Sequence, residues 1–161
     1  MTTQRNNEFL IYVIFLIISF VISYCSMNFI ELSNLLSLIN EVPNLIGIML
    51  SGVLAIIAII FGLINPREFK TLSEVYSDPQ IEINYKSHIE IMKSDTVIML
   101  LFFCISIILT FISKTTIGTL DFSIWIIFGL GIFSLIVTIS AIYDIIISLF
   151  LLNQLRAYLP K

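Results

Sequence analysis

Four long stretches of this sequence contain no charged residue, and that spacing of charge restricts the fold more than any other feature. They cover 9–30, 42–66, 96–113 and 122–143, the last resuming after Asp144 and running on to Leu155. A helix that crosses the hydrocarbon of a bilayer needs about 20 consecutive apolar residues, so each stretch meets or approaches the length of a membrane span. Composition agrees. Of the 161 residues, 58% are hydrophobic, 34 are isoleucine and only 12% are charged, and the mean hydropathy is +1.06. A soluble domain carries about a quarter of its residues charged, so most of the surface here is built to face lipid. The formal net charge of −3 points to no nucleic-acid partner. The isoleucine- and asparagine-rich vocabulary suits AT-rich DNA and a prokaryotic source.

The expected fold is all-α, a polytopic membrane protein forming one domain over 1–161. Four transmembrane helices, at about 9–30, 44–65, 95–113 and 122–152, make a bundle. A short cytoplasmic helical hairpin, 66–94, lies between spans two and three. The first stretch reads as a retained span rather than a signal peptide. Arg5 and Glu8 make a weak n-region, the apolar core is too long, and no A-x-A site follows. Seven of the eight Lys and Arg residues fall in the N-terminus, the 65–95 segment and the C-terminus, leaving only Lys114 on the other side. The positive-inside rule then places both termini in the cytoplasm of a plasma (inner) membrane.

Between spans one and two, Leu32, Leu35, Leu36 and Ile39 recur at helical spacing with Ser33, Ser37, Asn40 and Glu41 opposite. This predicts a short amphipathic helix, about 32–41, in the outer headgroup layer, ended by Pro43. In the hairpin, Asn65-Pro66 starts a new helical turn, and Phe69, Leu72 and Tyr76 form one stripe. Ser77-Asp78-Pro79 breaks the chain, after which Ile81, Tyr85, Ile89 and Met92 follow at helical spacing, with Glu82/Lys86 and Lys86/Glu90 pairs four apart. No breaker separates this stretch from span three, which predicts one helix over 79–112, about 50 Å long. The apolar faces at Phe69, Leu72, Tyr76, Tyr85 and Ile89 either cover each other or bind a cytosolic protein partner through residues 65–95.

No catalytic, metal-binding or cofactor-binding motif is legible, and the expectation is that the chain is not an enzyme. His88 has no evident oriented partner. Cys25 and Cys104 lie in apolar runs without a CxxC, and read as packing residues. Asp144 is different, because a carboxylate in lipid must be paired, hydrated or protonated. It either pairs with a base such as Arg67 or Lys93 near the inner surface, or belongs to an ion path or gate with Thr138, Ser134 and Ser148 on the same helix. Small residues also form stripes: Gly47, Ser51, Ala55, Ala58 and Gly62 in span two, Ser19, Ser23 and Ser26 in span one, Ser106, Thr110 and Ser113 in span three. Such stripes let helices pack closely, or line a wet path once several copies assemble. Four spans in one subunit are too few to enclose a pore, so an ion-channel function implies a homo-oligomer in the lipid bilayer.

The order of features resembles the RexB family of small four-span phage-exclusion proteins. Span two is rich in small residues and runs into a basic stretch, "LSGVLAIIAIIFGLINPREFKTLSE"; span three reads "VIMLLFFCISIIL"; the long last span ends "LFLLNQLRAYLPK". The membrane subunit of the Kiwa anti-phage system is a second four-span family of similar size. The resemblance covers the layout of the whole chain and carries over no functional residue. It implies a membrane effector or sensor in antiviral defence. That role would act by permeabilising the membrane in the RexB case, or by sensing with a cytosolic partner in the Kiwa case. The competing readings are a non-conducting membrane anchor for a cytosolic partner and an accessory transporter subunit.

Overall fold

Isoleucine and phenylalanine are indifferent helix formers in water, but in lipid a helix satisfies every backbone group within one segment. The computed structural model describes residues 2–63, 79–115 and 121–157, and apart from a turn at 28–31 all of them are helical. The helices are α1 (Thr2–Met27), α2 (Leu32–Leu63), α3 (Pro79–Thr115) and α4 (Asp121–Ala157). The first limb of the expected hairpin lies outside the described residues, and with it Phe69, Leu72, Tyr76 and the base Arg67. Its second limb is continuous with span three: α3 runs unbroken from Pro79 to Thr115, as the lack of a breaker predicts.

Three helices hold segments long and apolar enough to cross a membrane, Ser33–Ile59, Ile83–Thr115 and Ile124–Gln154, whereas α1 offers the shorter apolar stretch Leu10–Ser26. Large side chains point outward along all four, among them Ile17, Val21, Ile48, Ile59, Leu100, Ile108, Phe111, Ile139 and Phe150. Continuous exposed apolar surface of this extent marks contact with a membrane. The chain is a membrane-embedded helical protein.

By packing it divides into two units, Met1–Ile48 with Met99–Ile139, and Met49–Ile98 with Ser140–Lys161. In the first unit Leu35 and Ile39 of α2, Leu109 of α3, and Ile124, Ile127 and Phe128 of α4 form a buried cluster. α1 joins through α4. The Ser23 hydroxyl donates to the Trp125 carbonyl at 2.8 Å, and Phe20 packs on Trp125 with ring centroids 5.5 Å apart. Phe20 also covers Gly129. One turn back along α1 meets one turn forward along α4, so the two run antiparallel. The sense repeats between α2 and α3, where Ile39 meets Thr110 and Gly47 meets Phe103.

The structure departs from the sequence reading at Pro43. A proline inside a helix removes one backbone bond and crowds the carbonyl four residues back, which is why it reads as a stop. Here α2 passes straight through it, from Leu32 to Leu63. There is no separate amphipathic helix at 32–41. That stretch is the opening of span two, and its apolar stripe packs into the protein core instead of headgroups. The carbonyl deprived of its partner is Ile39, and the Thr110 hydroxyl lies 3.3 Å from it. A hydroxyl on the neighbouring helix thus replaces the missing N–H, the usual way a proline is accommodated in lipid.

Candidate functional site

The second unit takes part of three helices. α2 supplies Leu50 and Val53, α3 supplies Tyr85, Ile89 and Met92, and α4 supplies Ala141, Ile145, Ser148 and Leu152, all buried. On α4 these positions recur every three or four residues, so one face is inside. Asp144 follows Ala141 by three and precedes Ser148 by four, at the margin of that face, and is exposed. Asp95 holds the equivalent place on α3, three residues after Met92, and is half-buried.

Both carboxylates lie in the second unit, and the charge on Asp144 is felt as a repulsion at Asp95. One oxygen of Asp95, Oδ2, is buried without a hydrogen-bond partner. His88 stands two turns before Asp95 on the same face of α3, about 10 Å along the axis, and its Nδ1 is likewise buried and unpartnered. Like charges brought together near a low-dielectric interior repel strongly, several-fold more than in water. A proton or a cation at either carboxylate relieves that repulsion. Among the described residues no three His, Cys, Asp or Glu side chains gather as they would around a metal ion.

Asp144 was legible as a charge inside an apolar run, whereas Asp95 was not, because it stands where such a run begins. Among the described residues no ion pair involves Asp144, and Lys93, one of the bases offered as its partner, is exposed.

The three hydroxyls named with Asp144 divide between the two units. Ser134 and Thr138 belong to the first unit and are buried there. Ser134 donates to the Leu130 carbonyl at 2.9 Å, and Thr138 to the Ser134 carbonyl at 2.8 Å. Ser19, Ser106, Ser113 and Thr96 are bonded back to their own helices in the same way. A hydroxyl so engaged presents little polarity to a neighbour. Ser148 is buried in the second unit, beside the margin that carries Asp144.

The stripe on α2 divides. A Cβ on Gly47 would lie 3.1 Å from the Phe103 ring, so that end is closed by α3, whereas a Cβ on Gly52 would meet nothing within 4 Å. Ser51, Gly52, Ala55 and Ala58 are all exposed. Gly62 lies in α2 near its end. Of the apolar hairpin residues that are described, Tyr85 and Ile89 are both buried within the subunit.

No family model, curated protein or solved structure matches the chain.

Proposed function

We propose that this chain is a plasma-membrane effector that lets protons or small cations cross the bilayer as a homo-oligomer, by way of Asp95 and Asp144. The observation that carries the reading is the carboxylate pair itself. Ionisable groups on membrane helices are expensive and are retained where they serve ion passage or partner recognition. Among the described residues, a pair of like sign with an unpartnered buried oxygen and no ion pair on Asp144 has no evident structural use. The four-span topology with cytoplasmic termini belongs to the same proposal, supported by the basic residues of the tails and by the antiparallel contact of α1 with α4. The defence setting, and with it the sensing of infection, rests on the resemblance to phage-exclusion proteins. The test is ion leak from liposomes carrying the full chain under a proton or potassium gradient. Protein-dependent leak supports the reading, and liposomes as tight as empty ones overturn it.

The anchor reading needs a free apolar face on the 65–95 segment. Of the residues named for it, Tyr85 and Ile89 are buried within the subunit, whereas Phe69, Leu72 and Tyr76 lie outside the described residues and Ile83 and Ile91 nearby are exposed.

Assembly has its own signature. The exposed face of Ser51, Gly52, Ala55 and Ala58 suits a close helix–helix approach, since small residues bring backbones together in lipid. On this proposal it closes on a second copy. Because nothing in the subunit crowds Gly52, Gly52→Leu should keep the helical circular-dichroism spectrum while shifting detergent-solubilised protein toward monomer in light scattering. Gly47→Leu, forced against Phe103, should instead lower the melting temperature. An unchanged mass for the Gly52 variant would place the subunit contact elsewhere.

A further inference from the structure

Pro43 does more than interrupt one hydrogen bond. Ile39 and Asn40, in the turn just before it, are both poorly served in the packed state. The Ile39 carbonyl cannot receive a proton from position 43, and the Thr110 hydroxyl that approaches it at 3.3 Å also lies 3.0 Å from the Ser106 carbonyl. One hydroxyl proton serves two acceptors, and the nearer one belongs to its own helix. Asn40 is half-buried, and its Oδ1 is shut from solvent without any hydrogen-bond partner. A buried acceptor left unsatisfied favours any conformation that lets water reach it. Against these, Leu35 and Ile39 sit in the apolar cluster with Leu109 and Phe128. Beyond the proline, Gly47 is closed by Phe103, which fixes α2 on that side.

We infer that α2 carries a hinge at Pro43, held shut by the Thr110 hydroxyl on the Ile39 carbonyl, about which segment 32–42 swings away from α3 to hydrate Asn40. Bending costs least where a helix has already lost a backbone bond. Each state has a defect. The shut state buries Asn40 Oδ1 unpaired, and the open state withdraws Leu35 and Ile39 from the cluster and Val42 from Gly131. The hinge stands apart from the carboxylate pair and does not depend on the ion-path reading.

The test uses the full chain in lipid nanodiscs, with Cys25 and Cys104, both exposed, changed to serine. Spin labels go at Ser37 and Lys114, exposed positions on α2 and α3. Electron–electron resonance should give a short distance with a minor longer one. Thr110→Val should raise the ratio of long to short by up to about tenfold, the worth of one net hydrogen bond. Thr110→Ser should leave it near wild type, and Asn40→Leu should reduce the longer population. In Pro43→Ala the restored N–H bonds the Ile39 carbonyl, so adding Thr110→Val there should have little effect. An equal effect of Thr110→Val on both backgrounds, or no effect on either, overturns the hinge. Should Thr110→Val fail to insert, the Asn40→Leu and Pro43→Ala distributions decide. If neither loses the longer distance, the hinge is wrong.

Discussion

Replacing Asp144 with asparagine should cut proton or potassium leak from proteoliposomes by about tenfold or more, the equivalent of raising a barrier by roughly 1.4 kcal/mol. The same variant should melt no lower than wild type. The two halves of that expectation belong together. Asparagine keeps the size and most hydrogen-bonding capacity of aspartate while removing the charge, so it takes away a repulsion with Asp95. If Asp144 instead paired with a base, losing the charge would break a favourable contact, and stability would fall with no specific loss of conduction. Asp95→Asn should act alike on leak, and its amide can donate where the carboxylate Oδ2 now has no partner. Residues sharing one interaction are non-additive, so the double variant should leak scarcely less than either single one. Independent, multiplying effects would mean that the carboxylates act at separate places. Normal leak from a normally assembled Asp144→Asn protein would remove the ion-path role.

Much of this architecture is written in the placement of charge along the chain. Four charge-free stretches gave the helices, and the absence of Gly or Pro between Ile81 and Ile112 gave α3 as one piece. What hydropathy does not record is which helix faces meet. Asp95 and Asp144 are 49 positions apart by difference of their numbers, and only packing brings them together. Asp95 stands where a polar segment gives way to an apolar one, so it reads as the last charge outside a span. Pro43 misleads for a related reason. Its local rule is to stop a helix, and the remedy, Thr110, lies on another helix 71 positions beyond the Ile39 carbonyl that it serves. The hydroxyl stripes show the converse limit. Ser134 and Thr138 fall at the spacing of a polar lining, but the sequence does not tell a hydroxyl facing water from one bonded to its own backbone. A useful signal for Asp95 was present in the helical period of α3: Tyr85, His88, Met92 and Asp95 share a face on which three of four side chains are polar.

The largest effect on stability is expected at Gly129, and it bears on how α1 is held. A Cβ added there would lie 2.9 Å from Cδ1 and 3.0 Å from Cε1 of Phe20, closer than carbon atoms approach without displacement. Phe20 also rests on Trp125 at 5.5 Å between ring centroids, so displacing its ring disturbs a second contact. Trp125 is in turn fixed to α1 by the Ser23 hydroxyl on its carbonyl. Ring, glycine and hydroxyl thus form one contact about a helical turn deep. Overpacking such a contact costs about 1–3 kcal/mol, whereas Gly52→Ala, with open space around it, should cost far less. Gly129→Ala should therefore lower the melting temperature in detergent clearly below that of Gly52→Ala. Gly129→Leu should separate α1 from α4, shift the emission of Trp125, the single tryptophan, and expose α1 to added protease. Phe20→Ala in the Gly129→Leu background frees space for the new side chain and should recover part of the loss, a coupling that a nonspecific defect would not show. If Gly129→Ala melts with wild type, α1 does not lean on α4 through Phe20. The support that this contact lends to a fourth, antiparallel span would then go with it.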